Sequence, residues 1–379
     1  MKKVGWFSAL ILLALTATLM FSISRGKSNL GGQTTKEYAI QHPASGSIQV
    51  FSNPQRSTTT LRSLAQQRGI GIGTAALMEP FQNDSTYREV LAREFNRLTP
   101  ENAMKFGQLH PERDRYNFTK ADALVTFAKA HQMQVHGHTL VWHQSMPDWL
   151  TQVEWTREEL MDILHQHIYT VVAHYQGQLA AWDVVNEAVA GNGSLRDSIW
   201  LSRIGPEYIE LAFRWAHEAD PQARLFYNDH DGEGLGKKSD AIYELIKDLR
   251  QRNVPIHGVG FQMHKSIKNP PSIEQVAANI KRLGKLGLEV QITEMDVQIH
   301  DGKGTTQQRL ASQADVYREM LRVCLDAPTC KSLTTWGLAD HLSWIPHFYK
   351  RPDSPLLFDE SYRPKPAYNA LVDVLKKAG

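Results

Sequence analysis

The chain has 379 residues, 42% of them hydrophobic and 22% charged, with a formal net charge of +2. That composition excludes a disordered chain and a polytopic membrane protein. The basic residues are scattered among acidic ones rather than gathered in a stripe, so no nucleic-acid partner is expected. Nine tryptophans and twelve tyrosines suit a cleft that stacks flat, partly apolar ligands.

Lys2 and Lys3 precede an apolar run from Trp6 to Ile23, the form of a secretory signal with a small-x-small site at Ser22-Ile23-Ser24. The run is nearly long enough to span a bilayer, so residues 1–25 read as a signal peptide or an uncleaved signal anchor. No cysteine follows it, which excludes a lipoprotein. Export, with an optional membrane tether, is therefore expected. Residues 26–60 are rich in Ser, Thr, Gln, Asn and Gly and read as a flexible linker. Residues 61–379 are left for one catalytic domain, a size one α/β barrel fills, and a monomer is expected.

From Leu61 onward, short β-rich runs alternate with longer amphipathic ones. Strands are expected at 70–76, 97–99, 134–142, 180–186, 224–227, 258–262, 289–293 and 332–336. Helices are expected at 156–174, 205–219, 238–251, 272–286 and 307–325, with Ser272 and Gln275 forming a capping box. Eight strand-helix units with right-handed crossovers close a (β/α)8 TIM barrel, an α/β fold. A doubly wound open sheet is the rival, but no glycine-rich phosphate loop follows the first strand. Cys324 and Cys330 are the only cysteines, and an even count in an exported chain points to a disulfide; two buried thiols or part of a metal site are the alternatives.

Reacting groups in such barrels sit at the C-terminal strand ends. There the sequence places Glu101, Asn102 and Lys105; His136, His138, Trp142 and His143; Asn186 and Glu187; Asn228; Gln262 and His264; Glu294 and Asp296; and Trp336. Two glutamates in units four and seven face each other across the mouth. Paired carboxylates, one protonated and one ionised, are what glycosidic cleavage requires. Glu294 and Asp296 alternate along one strand, with His264 placed to bridge them and keep Glu294 ionised. The Glu187 carboxyl is expected to be raised by Glu294 and by burial.

The motifs WDVVNEA (182–188), ITEMDV (292–297), GHTLVWH (137–143) and GFQMH (260–264), in that combination, make the chain resemble family 10 glycoside hydrolases, the endo-1,4-β-xylanases. The resemblance spans about Leu61 to Leu375. It implies retaining hydrolysis of internal β-1,4 bonds in xylan, with Glu187 as acid/base, Glu294 as nucleophile, and Asn186 and His264 in support. It implies sugar contacts by Glu101, Asn102, Lys105, His138, Trp142 and His143, a supporting polar role for Gln262, and an aromatic lid from Trp336 and Trp344 that crowds a sugar's C5 substituent. It also implies a Cys324–Cys330 disulfide and no cofactor. One departure is visible: the family commonly has Gln two residues after the Trp-His pair, where this chain has Gln144-Ser145.

Two other functions fit parts of the pattern. His136-Gly137-His138 imitates a two-histidine metal motif, and a barrel that binds xylan without cleaving it would keep the same cleft.

Overall fold

The computed structural model describes residues 59–377. The expected leader and linker at 1–25 and 26–60 lie outside the described residues, apart from the last two linker positions. Strands β1 (Gly71–Ala76), β2 (Arg97–Pro100), β3 (Gln134–Val141), β4 (Ala181–Asn186), β5 (Arg224–Asp229), β6 (Gly258–Phe261), β7 (His264–Ser266), β8 (Glu289–Gln298) and β9 (Cys330–Thr335) run parallel. Eight of them close a barrel, because β9 pairs with β1 and β6 pairs with β8. The (β/α)8 expectation holds strand for strand.

Two differences matter for the site. The seventh barrel strand, β8, runs to Gln298 rather than stopping at 293, so Glu294 and Asp296 lie within it. The short β7 prolongs the sixth unit beside it, setting His264 opposite Asp296. Alternate side chains share a face, which brings Glu294, Asp296 and His264 together.

Three of the five expected helices begin at hydroxyl caps, whereas Tyr208–Ala219 and Lys237–Gln251 start without a side-chain cap. Thr156 and Thr305 form capping boxes with Glu159 and Gln308, each satisfying two orphan N–H groups. Ser272 caps its helix by accepting from Gln275 N–H, but its hydroxyl donates to Glu274, so the expected reciprocal box with the Gln275 side chain is replaced by a simple cap. Strand residues pack inside the barrel and against the helical ring, with Trp182, Phe226, Tyr227 and Phe261 almost wholly buried. Cys324, near the end of the helix Thr306–Asp326, is disulfide-bonded to Cys330 at the start of β9. The bond excludes the two-thiol and metal-ligand alternatives.

Candidate active site

The strand ends open on a cleft of about 780 Å³ lined by Glu101, Asn102, Lys105, His138, Trp142, Asn186, Glu187, Gln262, His264, Glu294, Trp336 and Trp344. Of the residues expected there, His136, Asn228, His143 and Asp296 stand behind this surface rather than on it. Their partners show why.

Glu294 is held from two sides. Asn228 Nδ2 donates to its Oε1 at 2.6 Å, and His264 Nε2 lies 3.4 Å from its Oε2. Thr293 Oγ1 donates to Asn228 Oδ1 at 2.7 Å, which orients that amide with its NH2 toward the carboxylate. The second Asn228 N–H therefore needs an oxygen, and meets Asn186 Oδ1 at 2.9 Å. This network requires a glycine at 260: a Cβ there would sit 2.2 Å from Asn228 Oδ1. His264 Nδ1 lies 2.9 Å from Asp296 Oδ2, an oxygen that also accepts from Trp344 Nε1 at 2.8 Å. Burial disfavours charge on His264, but Asp296 and Glu294 outweigh it and raise the imidazole well above its ordinary value. A cationic His264 thus faces the Glu294 carboxylate.

Glu187 is held differently. Its backbone takes the left-handed conformation, φ 57°, uncommon for a residue with a side chain. Both its peptide groups are tied down: its N–H donates to Asn228 O at 2.9 Å and its carbonyl accepts from Arg196 Nε at 2.8 Å. Strain fixed in this way is typical of a functional position. Gln262 Nε2 donates to Oε1 at 3.1 Å, Asn186 Nδ2 lies 3.4 Å away, and His143 Nδ1 approaches Oε2 at 4.0 Å.

The expected rise in the Glu187 pKa is not found. Burial pushes the carboxyl up, but the donors from Gln262 and Trp142 and the neighbouring His230 and His143 hold it below its ordinary value. Sequence reasoning weighed the opposing carboxylate and overlooked the donors. Asn186 is linked to Glu294 only through Asn228.

Beyond β2, Lys105 Nζ donates to Asn102 Oδ1 at 2.8 Å and lies 5.1 Å over the Trp142 ring. Burial raises Glu101 to about 7. His138 and His264 meet the edge of Trp336 at 5.2 and 6.4 Å between centroids. The Gln144-Ser145 departure is resolved spatially: Gln144 lines the cleft, while Ser145 turns through φ 55° and its carbonyl accepts from Gly107 N–H at 2.8 Å.

Asp183 was not among the expected residues. It is buried and accepts from His136 Nε2 at 2.8 Å and His138 Nδ1 at 2.9 Å. Against burial, the two histidines hold its carboxyl down at about 2. Each histidine of the His136-Gly137-His138 motif thus spends one ring nitrogen on the same carboxylate. His138, Asp183 and Glu294 do bring ligand atoms within 4.8 Å of one another, but His138 Nδ1 is the shared donor in that trio. The usable signal was register, since His138 pairs with Asp183 across β3 and β4. His230 and Asp231 also line the cleft from the loop after β5, and Phe348 and Tyr349 from the short helix Trp344–Tyr349; neither segment is long enough for periodicity to mark it.

The family model of glycosyl hydrolase family 10 matches residues 60–374. Endo-1,4-beta-xylanase B of Thermotoga neapolitana is 47% identical over 319 residues, covering 84% of this chain and 92% of that protein. The crystal structure of xylanase 10B from Thermotoga petrophila in complex with xylobiose superposes with a TM-score of 0.82 at 48% identity, over 84% of this chain and 98% of that one. Native xylanase 10B from Thermotoga maritima gives 0.82 at 49% identity over the same shares. With two carboxylates at opposite strand ends of a parallel barrel and matches of this extent, the chain belongs to glycosyl hydrolase family 10.

Proposed function

We propose that the protein cleaves internal β-1,4 bonds of xylan with net retention, Glu187 serving as acid/base and Glu294 as nucleophile. The observation that carries this is the unequal support of two carboxylates in one cleft: Glu294 is fixed by Asn228 at 2.6 Å and faces the His264 cation, while Glu187 is held by Gln262 at 3.1 Å. A nucleophile must be ionised and aimed; an acid/base must change its proton within one turnover.

Glu187 is biased toward the carboxylate by its donors, so the fraction that carries a proton starts the reaction. Glu294 then attacks the anomeric carbon while Glu187 gives its proton to the departing oxygen. A covalent glycosyl-enzyme forms, and Glu187 next removes a proton from the water that releases it. His264, Asp296 and Asn228 act as positioning residues. Trp336 and Trp344 crowd a C5 substituent, favouring xylose over a sugar that carries a hydroxymethyl group. The names of the similar xylanases support the same substrate.

Residues 1–25 we assign as a signal peptide or signal anchor and 26–60 as a tether, with residues 61–379 as one exported, monomeric catalytic domain. The Cys324–Cys330 bond supports an oxidising destination.

The test is product analysis on plain and substituted xylan with β-glucan beside them. Release of xylo-oligosaccharides whose new reducing ends first appear as the β-anomer is expected. Cleavage of β-glucan alone would discard the substrate, and an initial α-anomer would discard the mechanism. Binding of xylan without product would instead favour the non-catalytic barrel. Dialysis against EDTA is expected to leave the rate unchanged.

A further inference from the structure

A second cavity, of about 540 Å³, opens at the opposite end of the barrel, where the strands begin. Arg97, Arg224 and Glu289 stand at the first positions of β2, β5 and β8, and Lys331 at the second of β9. Three cations thus face one carboxylate. Glu289 is already engaged, lying 3.0 Å from the Arg224 guanidinium. Arg97 is the poorly satisfied member. Its Nη1 reaches Gln291 Oε1 at 3.4 Å, an oxygen that also accepts from Ser332 Oγ at 3.2 Å, and its Nε is sealed from solvent with no hydrogen-bond partner.

A guanidinium carries five donors and stays charged, so leaving it this thinly paired against the barrel floor is costly unless something else accepts from it. Burial lowers its pKa while Glu289 works the other way. The neighbouring backbone is shaped to admit the side chain: a Cβ on Gly71 would fall 2.1 Å from Arg97 Nε and 2.5 Å from its Cδ. The glycine leaves the guanidinium a seat, and the cavity beyond is rimmed by positive charge.

We propose that the barrel floor is a binding site for a small oxyanion, such as phosphate or a carboxylate, held by Arg97 with Arg224 and Lys331. Bidentate pairing of the Arg97 Nη groups with an oxyanion supplies acceptors that the 3.4 Å contact to Gln291 does not, Nε staying sealed beneath them. An anion there ties β2, β5 and β9 together across the barrel end. It stabilises the fold from the face remote from catalysis, and the site is independent of the xylanase reading.

The test is calorimetric titration and thermal melting of the full chain with inorganic phosphate, against sodium chloride at matched ionic strength. Saturable one-to-one binding is expected in the millimolar range, with melting raised by about 2 °C at twenty times the dissociation constant. Arg97→Gln is expected to weaken binding at least tenfold and Lys331→Gln at least threefold, Lys331→Gln leaving xylan hydrolysis unchanged. Since Lys331 is exposed, its variant carries the test if Arg97→Gln fails to fold. A parallel titration with glucuronate separates the sources: phosphate alone binding supports an inorganic ligand, and glucuronate competing with it extends the site to acidic sugars. The proposal is overturned by non-saturable effects equal to those of chloride, or by phosphate binding that neither substitution weakens.

Discussion

Replacing Gln262 with leucine tests how the proton on Glu187 is controlled. Gln262 Nε2 donates to Glu187 Oε1 at 3.1 Å and shares the same NH2 with Asn186 Oδ1 at 3.2 Å. A hydrogen bond to a charged acceptor contributes about 1.5–3 kcal/mol. At about 1.36 kcal/mol per pKa unit, complete loss would raise the carboxyl by about one to two units. The contact is at the long end of the N–H···O range, and Trp142, His143 and His230 stay in place to favour the anion. The expected rise is therefore about one unit. A higher pKa keeps Glu187 protonated to higher pH, so the alkaline limb of kcat/KM moves upward by that amount. The assay is the pH profile on an aryl β-xylobioside with a poor leaving group, which needs the acid. With a leaving group that departs unaided, the glycosylation step moves little. An alkaline limb that stays put, or moves to lower pH, would refute the assignment of Gln262 as the donor that biases Glu187.

Asp183→Asn offers one oxygen where two imidazole N–H groups must be met, and turns an NH2 toward the other; a loss of about 2–4 kcal/mol is expected, read as a lower guanidinium midpoint. His167 is fully buried, stacked on Phe106 at 3.6 Å, with no partner at either ring nitrogen. Burial first, then His110, lowers its pKa well below the ordinary value. The unfolded chain therefore binds the proton more readily, and stability is fully present above about pH 6.5 and declines as pH falls below it. Urea titrations from pH 7 to 5 are expected to show this slope, and His167→Phe to flatten it. Phe348 is 64% exposed at the cleft, beside Trp344 and Tyr349 in T-shaped contacts, so much of its ring is open to a sugar. Phe348→Ala is expected to raise KM on long xylo-oligosaccharides about two- to tenfold without altering kcat on an aryl xylobioside; equal KM values would remove Phe348 from substrate binding.

The parts legible in the sequence are those governed by local chemistry. Alternation of β-rich and amphipathic runs specified eight units, hydroxyl residues marked helix starts, and strand-end motifs located Glu187, Glu294, His264 and Trp336, because side-chain period and chain direction act over a few residues. The bridge from His264 to Asp296 was legible for the same reason, since alternation along β8 aligns Asp296 with Glu294. Tertiary structure decided what depends on neighbours distant in sequence. It placed Asn228 behind Glu294, gave the donors around Glu187 control over its charge, and seated Asp183 between two histidines that sequence alone could pass off as metal ligands. A pKa or a hydrogen bond belongs to a set of atoms that only barrel closure assembles. For that reason the two cleft carboxylates could be found by reading along the chain, whereas the proton state of Glu187 required its neighbours in space.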